Sequence, residues 1–112
     1  MSHQMSELTI YEQEYAKLGI EMITNGYATV WRQNNKTYWG INSSEPSQEV
    51  VFEVNDDIIE YCEVNDITLM QIAGSWGPDQ EFRRFLKETN QPTVNIEKPP
   101  SWSDLSRGLL GE

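Results

Sequence analysis

The stretch from Tyr27 to Ile41 constrains this chain most. It runs Tyr-Ala-Thr-Val-Trp-Arg-Gln, then Asn-Asn-Lys, then Thr-Tyr-Trp-Gly-Ile. β-Branched and aromatic residues flank a short polar turn, and Asn is the non-glycine residue that best tolerates positive φ, so the pattern predicts a β-hairpin. With Asn34 and Asn35 at the turn centre, Trp31 falls opposite Tyr38 and Val30 opposite Trp39. Such cross-strand pairs contribute about 0.2–1 kcal/mol each. A lone hairpin is marginal in water, so this one needs cover on its apolar face. The expectation is that Trp31 or Trp39 packs on a helix carrying Tyr15, Leu18 and Met22.

That helix is expected just upstream. Thr9-Ile-Tyr-Glu12 has the form of a capping box, and behind it Tyr11, Tyr15, Leu18 and Met22 form one apolar stripe with Ile23 alongside. Asn25-Gly26 reads as its end, with Gly26 in the left-handed position. After the hairpin, a polar loop from Asn42 to Gln48 leads to Glu49–Val54. There Val50, Phe52 and Val54 alternate with Glu49, Val51 and Glu53, which predicts a third strand with one wet face.

The second half reads as helical. Asn55 or Asp56 caps a segment from Asp57 to Val64, and Asp66 caps another from Ile67 to Gly74. Pro78 is placed at the first position of a helix that runs to about Thr89 and carries Phe82, Phe85 and Leu86. Thr93 to Ile96 is a candidate edge strand, and Lys98-Pro99-Pro100 a stiff spacer. The expected fold is therefore α+β: an N-terminal helix, a three-stranded antiparallel sheet (hairpin about 27–42, third strand about 49–54), two or three helices and an extended C-terminal tail. Residues 1–8 are expected to be a disordered start, 9–97 a single globular domain and 98–112 a tail or docking segment.

Charge narrows the function. A net charge of −10 over 112 residues, with a pI near 4.4, argues against phosphate binding, which needs Lys and Arg to displace counterions. Neither direct nucleic-acid contact nor an anionic membrane surface is expected; a basic protein partner is. Cys62 is the one cysteine, so no internal disulfide forms and the expected compartment is the cytoplasm. No apolar run reaches membrane-span length. The sequons at Asn35 and Asn42 read as coincidence without a secretory signal. His3 is the one histidine and lies far from Cys62 in sequence, so nucleophilic catalysis has no evident base. No enzyme activity, cofactor or metal is expected, since no glycine-rich phosphate loop or glycine-containing carboxylate loop is present.

Two stretches are candidate binding elements. From Glu45 to Asp66 the chain carries Glu45, Glu49, Glu53, Asp56, Asp57, Glu60, Glu63 and Asp66 without one Lys or Arg. On a helix Asp56, Glu60 and Glu63 share a face, and like charges so spaced destabilise it slightly. The tract is either a solvated face or a docking surface for a basic protein, including one whose groove normally holds nucleic acid, such as a nuclease. The tail offers Trp102, Leu105, Leu109 and Leu110 behind the prolines, either folding back on the domain or docking as a helix in a partner's groove.

Two resemblances bear on these alternatives. Asp66 to Lys87, with Ala73 at a helix crossing and Gly77 in a turn, resembles a helix-turn-helix, which implies a DNA reader using Gln80, Arg83, Arg84 and Lys87. Pro78 and Arg83 depart from that pattern. The α-β-β-β-α order is similar to double-stranded-RNA-binding domains, but their basic second helix is here Asp-Asp-Ile-Ile-Glu-Tyr-Cys-Glu, so the likeness is one of topology alone. The leading expectation is a small acidic protein that binds and blocks a basic partner, as antitoxins, immunity proteins and nuclease inhibitors do. A helix-turn-helix regulator using residues 66–88 is the alternative.

Overall fold

The computed structural model describes residues 10–101 and 103–105. Helix α1 (Ile10–Lys17) precedes strands β1 (Ile20–Asn25), β2 (Ala28–Gln33), β3 (Lys36–Ile41) and β4 (Val51–Glu53). Helices α2 (Asp56–Val64), α3 (Leu69–Ala73) and α4 (Trp76–Glu88) follow. The strands form one antiparallel meander in the order β1-β2-β3-β4. The α+β class is as expected, but the sheet has four strands rather than three.

The extra strand comes from the expected N-terminal helix, which stops short. Gly19 adopts φ +76°, and its N–H and that of Leu18 bond back to the carbonyls of Ala16 and Tyr15, closing the last turn. Beyond it, Ile20 to Asn25 pair with β2, so Met22 and Ile23 belong to a strand. Pairing with the preformed hairpin outweighs a helical apolar spacing, and β-branched Ile20, Ile23 and Thr24 favour it. Gly26 is not left-handed; a Cβ there would sit 2.6 Å from the Ala73 carbonyl oxygen, so close approach is what demands glycine. With β1 present, the element order no longer matches that of double-stranded-RNA-binding domains.

The hairpin has the expected register. Asn34 and Asn35 take φ of 56° and 64°, Trp31 pairs with Tyr38 and Val30 with Trp39. The Trp31 and Tyr38 rings lie 5.6 Å apart.

Because successive residues point to opposite faces, the sheet buries two separate clusters. On one face Ala28, Val30, Trp39 and Phe52 pack under Ile58 of α2, Ile72 and Ala73 of α3, and Phe82 and Leu86 of α4. On the other, Ile20, Trp31, Tyr38 and Val51 meet Tyr15 of α1, with Met22, Val94, Ile96 and Leu105 packed around them. The expected wet face of β4 is thus buried at Val51. Trp31 does share a cluster with Tyr15 and Met22, but Leu18 is 48% exposed and takes no part.

The second face is covered by chain of little regular structure. The expected strand from Thr93 to Ile96 reduces to one bridge, in which the Val94 N–H donates to the Val51 carbonyl at 2.8 Å. Downstream, the Tyr15 hydroxyl donates to the Pro100 carbonyl at 2.9 Å. Lys98 crosses Gly40, where a Cβ would press within 2.6 Å of the lysine stem, and reaches the Asn42 side-chain oxygen at 2.7 Å.

Helices α2 and α3 start at side-chain caps. Asn55 caps α2 by accepting from the Ile58 N–H. For α3 the cap is Thr68 rather than Asp66, because Thr68 and Gln71 form a reciprocal capping box while Asp66 sits in the preceding turn at φ 52°. Ser75 begins α4, so Pro78 occupies its third position instead of its first. That is still within the first turn, where an N–H has no acceptor inside the helix. Among the described residues, no helix is long and apolar enough to cross a membrane.

Candidate functional site

The acidic tract does not stay together as one surface. Glu49, in the irregular chain just before β4, lies 3.1 Å from Lys98, and Glu53 pairs loosely with Lys36 at 3.8 Å. Their cations come from outside the tract, which sequence spacing could not show. Asp56 and Asp57 occupy the first turn of α2, where the exposed N–H groups favour negative charge and offset the like-charge cost. Asp57 also accepts from Gln91 at 3.2 Å. Glu60 and Glu63 are exposed farther along the same helix.

α2 separates these last two. Glu63 borders a shallow hollow with Cys62, Asp66 and Thr68. Glu60 and Asp57 border a groove of about 400 Å3 between α2 and the C-terminal part of α4, with Tyr61, Val64, Asn65, Phe85 and Thr89 as its other walls. The Asn65 amide and Thr89 hydroxyl donate to carbonyls of their own helices, at 2.8 and 2.7 Å. The carboxylates are therefore the groove's charged acceptors, above an apolar floor.

That floor is held from inside. Trp39 meets Phe82 edge-on at 4.6 Å, Phe82 lies 5.3 Å from Tyr61, and Tyr61 lies 4.6 Å from Phe85. An aromatic chain thus runs from a fully buried sheet residue to a half-exposed groove residue, and rings so packed are already ordered before anything binds. Burial raises the Tyr61 pKa above its ordinary value, and the negative charge of Glu81 on α4 raises it further. Glu81 itself is exposed on α4, one turn before Phe85. The sequence reading missed it, and nothing local to Glu81 signals it; only the packing of α4 on α2 does. Cys62 is half-buried at the hollow beside Glu63, away from the groove. Burial, reinforced by Glu63, pushes its thiol up, so it is a weak nucleophile at neutral pH.

The helix-turn-helix segment exists as the packed pair α3 and α4. Arg83, however, is committed within the molecule. It pairs with fully buried Asp79 at 2.8 Å and donates to the carbonyls of Tyr27 and Asn42. Gln80, Arg84 and Lys87 are exposed. Of the tail residues, Leu105 folds back onto the second cluster, while Trp102, Leu109 and Leu110 lie outside the described residues, as do His3 and Thr9 of the expected cap. Among the described residues, no group of three or more His, Cys, Asp and Glu side chains is placed to hold a metal.

Comparison with protein-family models, with curated proteins and with solved structures finds no match to this chain.

Proposed function

We propose that this chain is an acidic protein-binding module that docks a basic protein and, by covering its cationic surface, acts as an inhibitor or neutralising partner. The observation that carries the reading is the groove beside α2. It joins charge at Glu60, which has no ion-pair partner among the described residues, a second acid at Asp57 and half-buried aromatics at Tyr61 and Phe85. Charge steers the encounter and aromatic anchors supply residence time. With a net charge of −10, the whole molecule adds to the steering.

The test is association with a panel of basic and acidic globular proteins of matched size, at two ionic strengths. Binding should be confined to the basic members. Replacing Glu60, Glu63 and Glu81 by Gln should slow association and flatten its salt dependence, while leaving the melting curve in place. Equal binding to acidic members, or association rates untouched by the triple change, would overturn the reading. Duplex DNA should show no mobility shift at low salt.

A further inference from the structure

The shape and chemistry of the α2–α4 groove say more about its occupant than its charge does. Asp57, Glu60, Tyr61 and Val64 lie along about two turns of α2, a length of about 10 Å. Phe85 forms the facing wall, and exposed Glu81 sits one helical turn before it on α4. Apolar surface at the bottom with Asp57 and Glu60 along the α2 bank fits a ligand with an apolar ridge beside cations.

The backbone then decides between an extended and a helical ligand. Both walls are helix sides, along which, between the helix ends, the N–H and C=O groups are consumed within the helices. The groove therefore offers no strand edge. An extended segment laid into it would find no partners for its main chain, whereas a helix brings its main-chain bonds with it. Val64 is 74% exposed in the free protein, an apolar side chain standing where such a ridge would cover it.

Building on the docking function proposed above, we propose that this groove receives a basic amphipathic helix. One apolar residue of the ligand seats on Val64, Tyr61 and Phe85. Lys or Arg residues a turn along the ligand meet Asp57 and Glu60 on the α2 bank. An arginine there also gains from the ring faces of the floor.

The probe is a synthetic peptide of about 18 residues, long enough to form helix, with leucines on one stripe flanked by lysines and arginines. Its control has the same composition with a proline at the centre, which breaks the helix. Titration into the full chain, followed by backbone amide shifts, should move residues 57–65 and 81–89. The proline control should bind about tenfold more weakly or worse, as should the helical peptide to Val64→Asp, each change removing one anchor. Glu60→Lys, at an exposed position, should weaken binding comparably and reduce its salt dependence. Equal affinity for the proline control, or shifts confined to another face, would overturn the helix inference while leaving a basic partner in place. No binding of either cationic peptide at low ionic strength would bring down the docking function as well.

Discussion

The two faces of the sheet are buried to the same depth by different means. Trp39 and Trp31, neighbours on adjacent strands, are both wholly inaccessible. Above Trp39 lie three helices with their own main-chain hydrogen bonds, two of them capped by side chains, so the cover is ordered by regular structure and only needs to dock. Above Trp31 lie one short helix and Val94, Ile96 and Leu105 of the chain that follows α4, with a bridge, a tyrosine hydroxyl and a lysine among the ties that hold that chain. A helix satisfies its backbone internally, whereas irregular chain depends on individual side-chain bonds to stay in place. The helical face should therefore resist perturbation until it fails together, and the strapped face should loosen piece by piece.

Substitution of each tryptophan is the strongest way to break this comparison. Trp39→Ala should cost about 3–5 kcal/mol, since the helices above it cannot collapse into the space left by an indole. Trp31→Ala should lie near the bottom of that range, about 3 kcal/mol, because an irregular strap relaxes more readily. Urea melts measure both. Costs in the reverse order would show the strap to be the stiffer cover.

Removing the strap is the next largest change. Truncation after Glu97 deletes Lys98, the Pro100 carbonyl acceptor and Leu105, and should lower stability by roughly 2 kcal/mol, the scale of one well-buried leucine with its supporting bonds. Hydrogen exchange should rise in β1 while the amides of α4 stay protected. Uniform loss of protection would mean that the two faces form one cooperative unit.

One residue ties the faces together, and its loss should cost less. The Asn42 side chain donates to the Gly26 carbonyl at 3.0 Å and accepts from Lys98, while its backbone carbonyl accepts from Arg83 of α4. Asn42→Ala should cost about 1–2 kcal/mol, because the buried Thr29 hydroxyl and half-buried Lys98 lose an acceptor. It should also blur the contrast in exchange between β1 and α4. Asn42→Asp, which keeps the acceptor for Lys98, should recover part of the loss.

Much of this architecture was legible, and where it was not the reason is physical. The Asn-Asn turn fixed its hairpin because two consecutive positive φ values leave few alternatives. The stripe from Tyr11 to Met22 misled because its spacing fits a helix across a boundary that Gly19 marks, with β-branched residues following at once. Val51 misled because alternation shows which face a residue is on, not whether that face is covered. At the site, Asp57 and Glu60 were visible in sequence as acids. Their separation from Glu49 and Glu53, and their union with Phe85 and Glu81, depends on how α4 crosses α2, a contact with no local trace. Arg83 departed from the helix-turn-helix pattern in the sequence, and the structure gives the cause in its bonds to Asp79 and two carbonyls.

That ion pair supplies the smallest effect and the finest test of the comparison. The cation on the strap, Lys98, meets a partly exposed carboxylate, whereas Arg83 on the helical side meets a carboxylate with no solvent access. One oxygen of that carboxylate, Asp79 Oδ1, has no hydrogen-bond partner among the described residues. Burial raises the Asp79 pKa above the ordinary value of 3.8, and the charge and hydrogen bond of Arg83 recover only part of the shift. The folded state therefore holds this proton more tightly than the unfolded chain does. Its stabilising effect is complete below pH 3.8 and is lost as pH rises through the higher folded value. Other carboxylates titrate nearby, so the measurement is a difference: urea melts of the native chain and of Asp79→Asn across the acid range, one profile subtracted from the other. The native chain should lose stability relative to the variant as pH rises through that window, and the difference should then level off. A difference that grows in the native chain's favour as pH rises would mean that the attraction of Arg83 outweighs burial. The buried pair would then be a net clamp on the helical face rather than a tolerated cost.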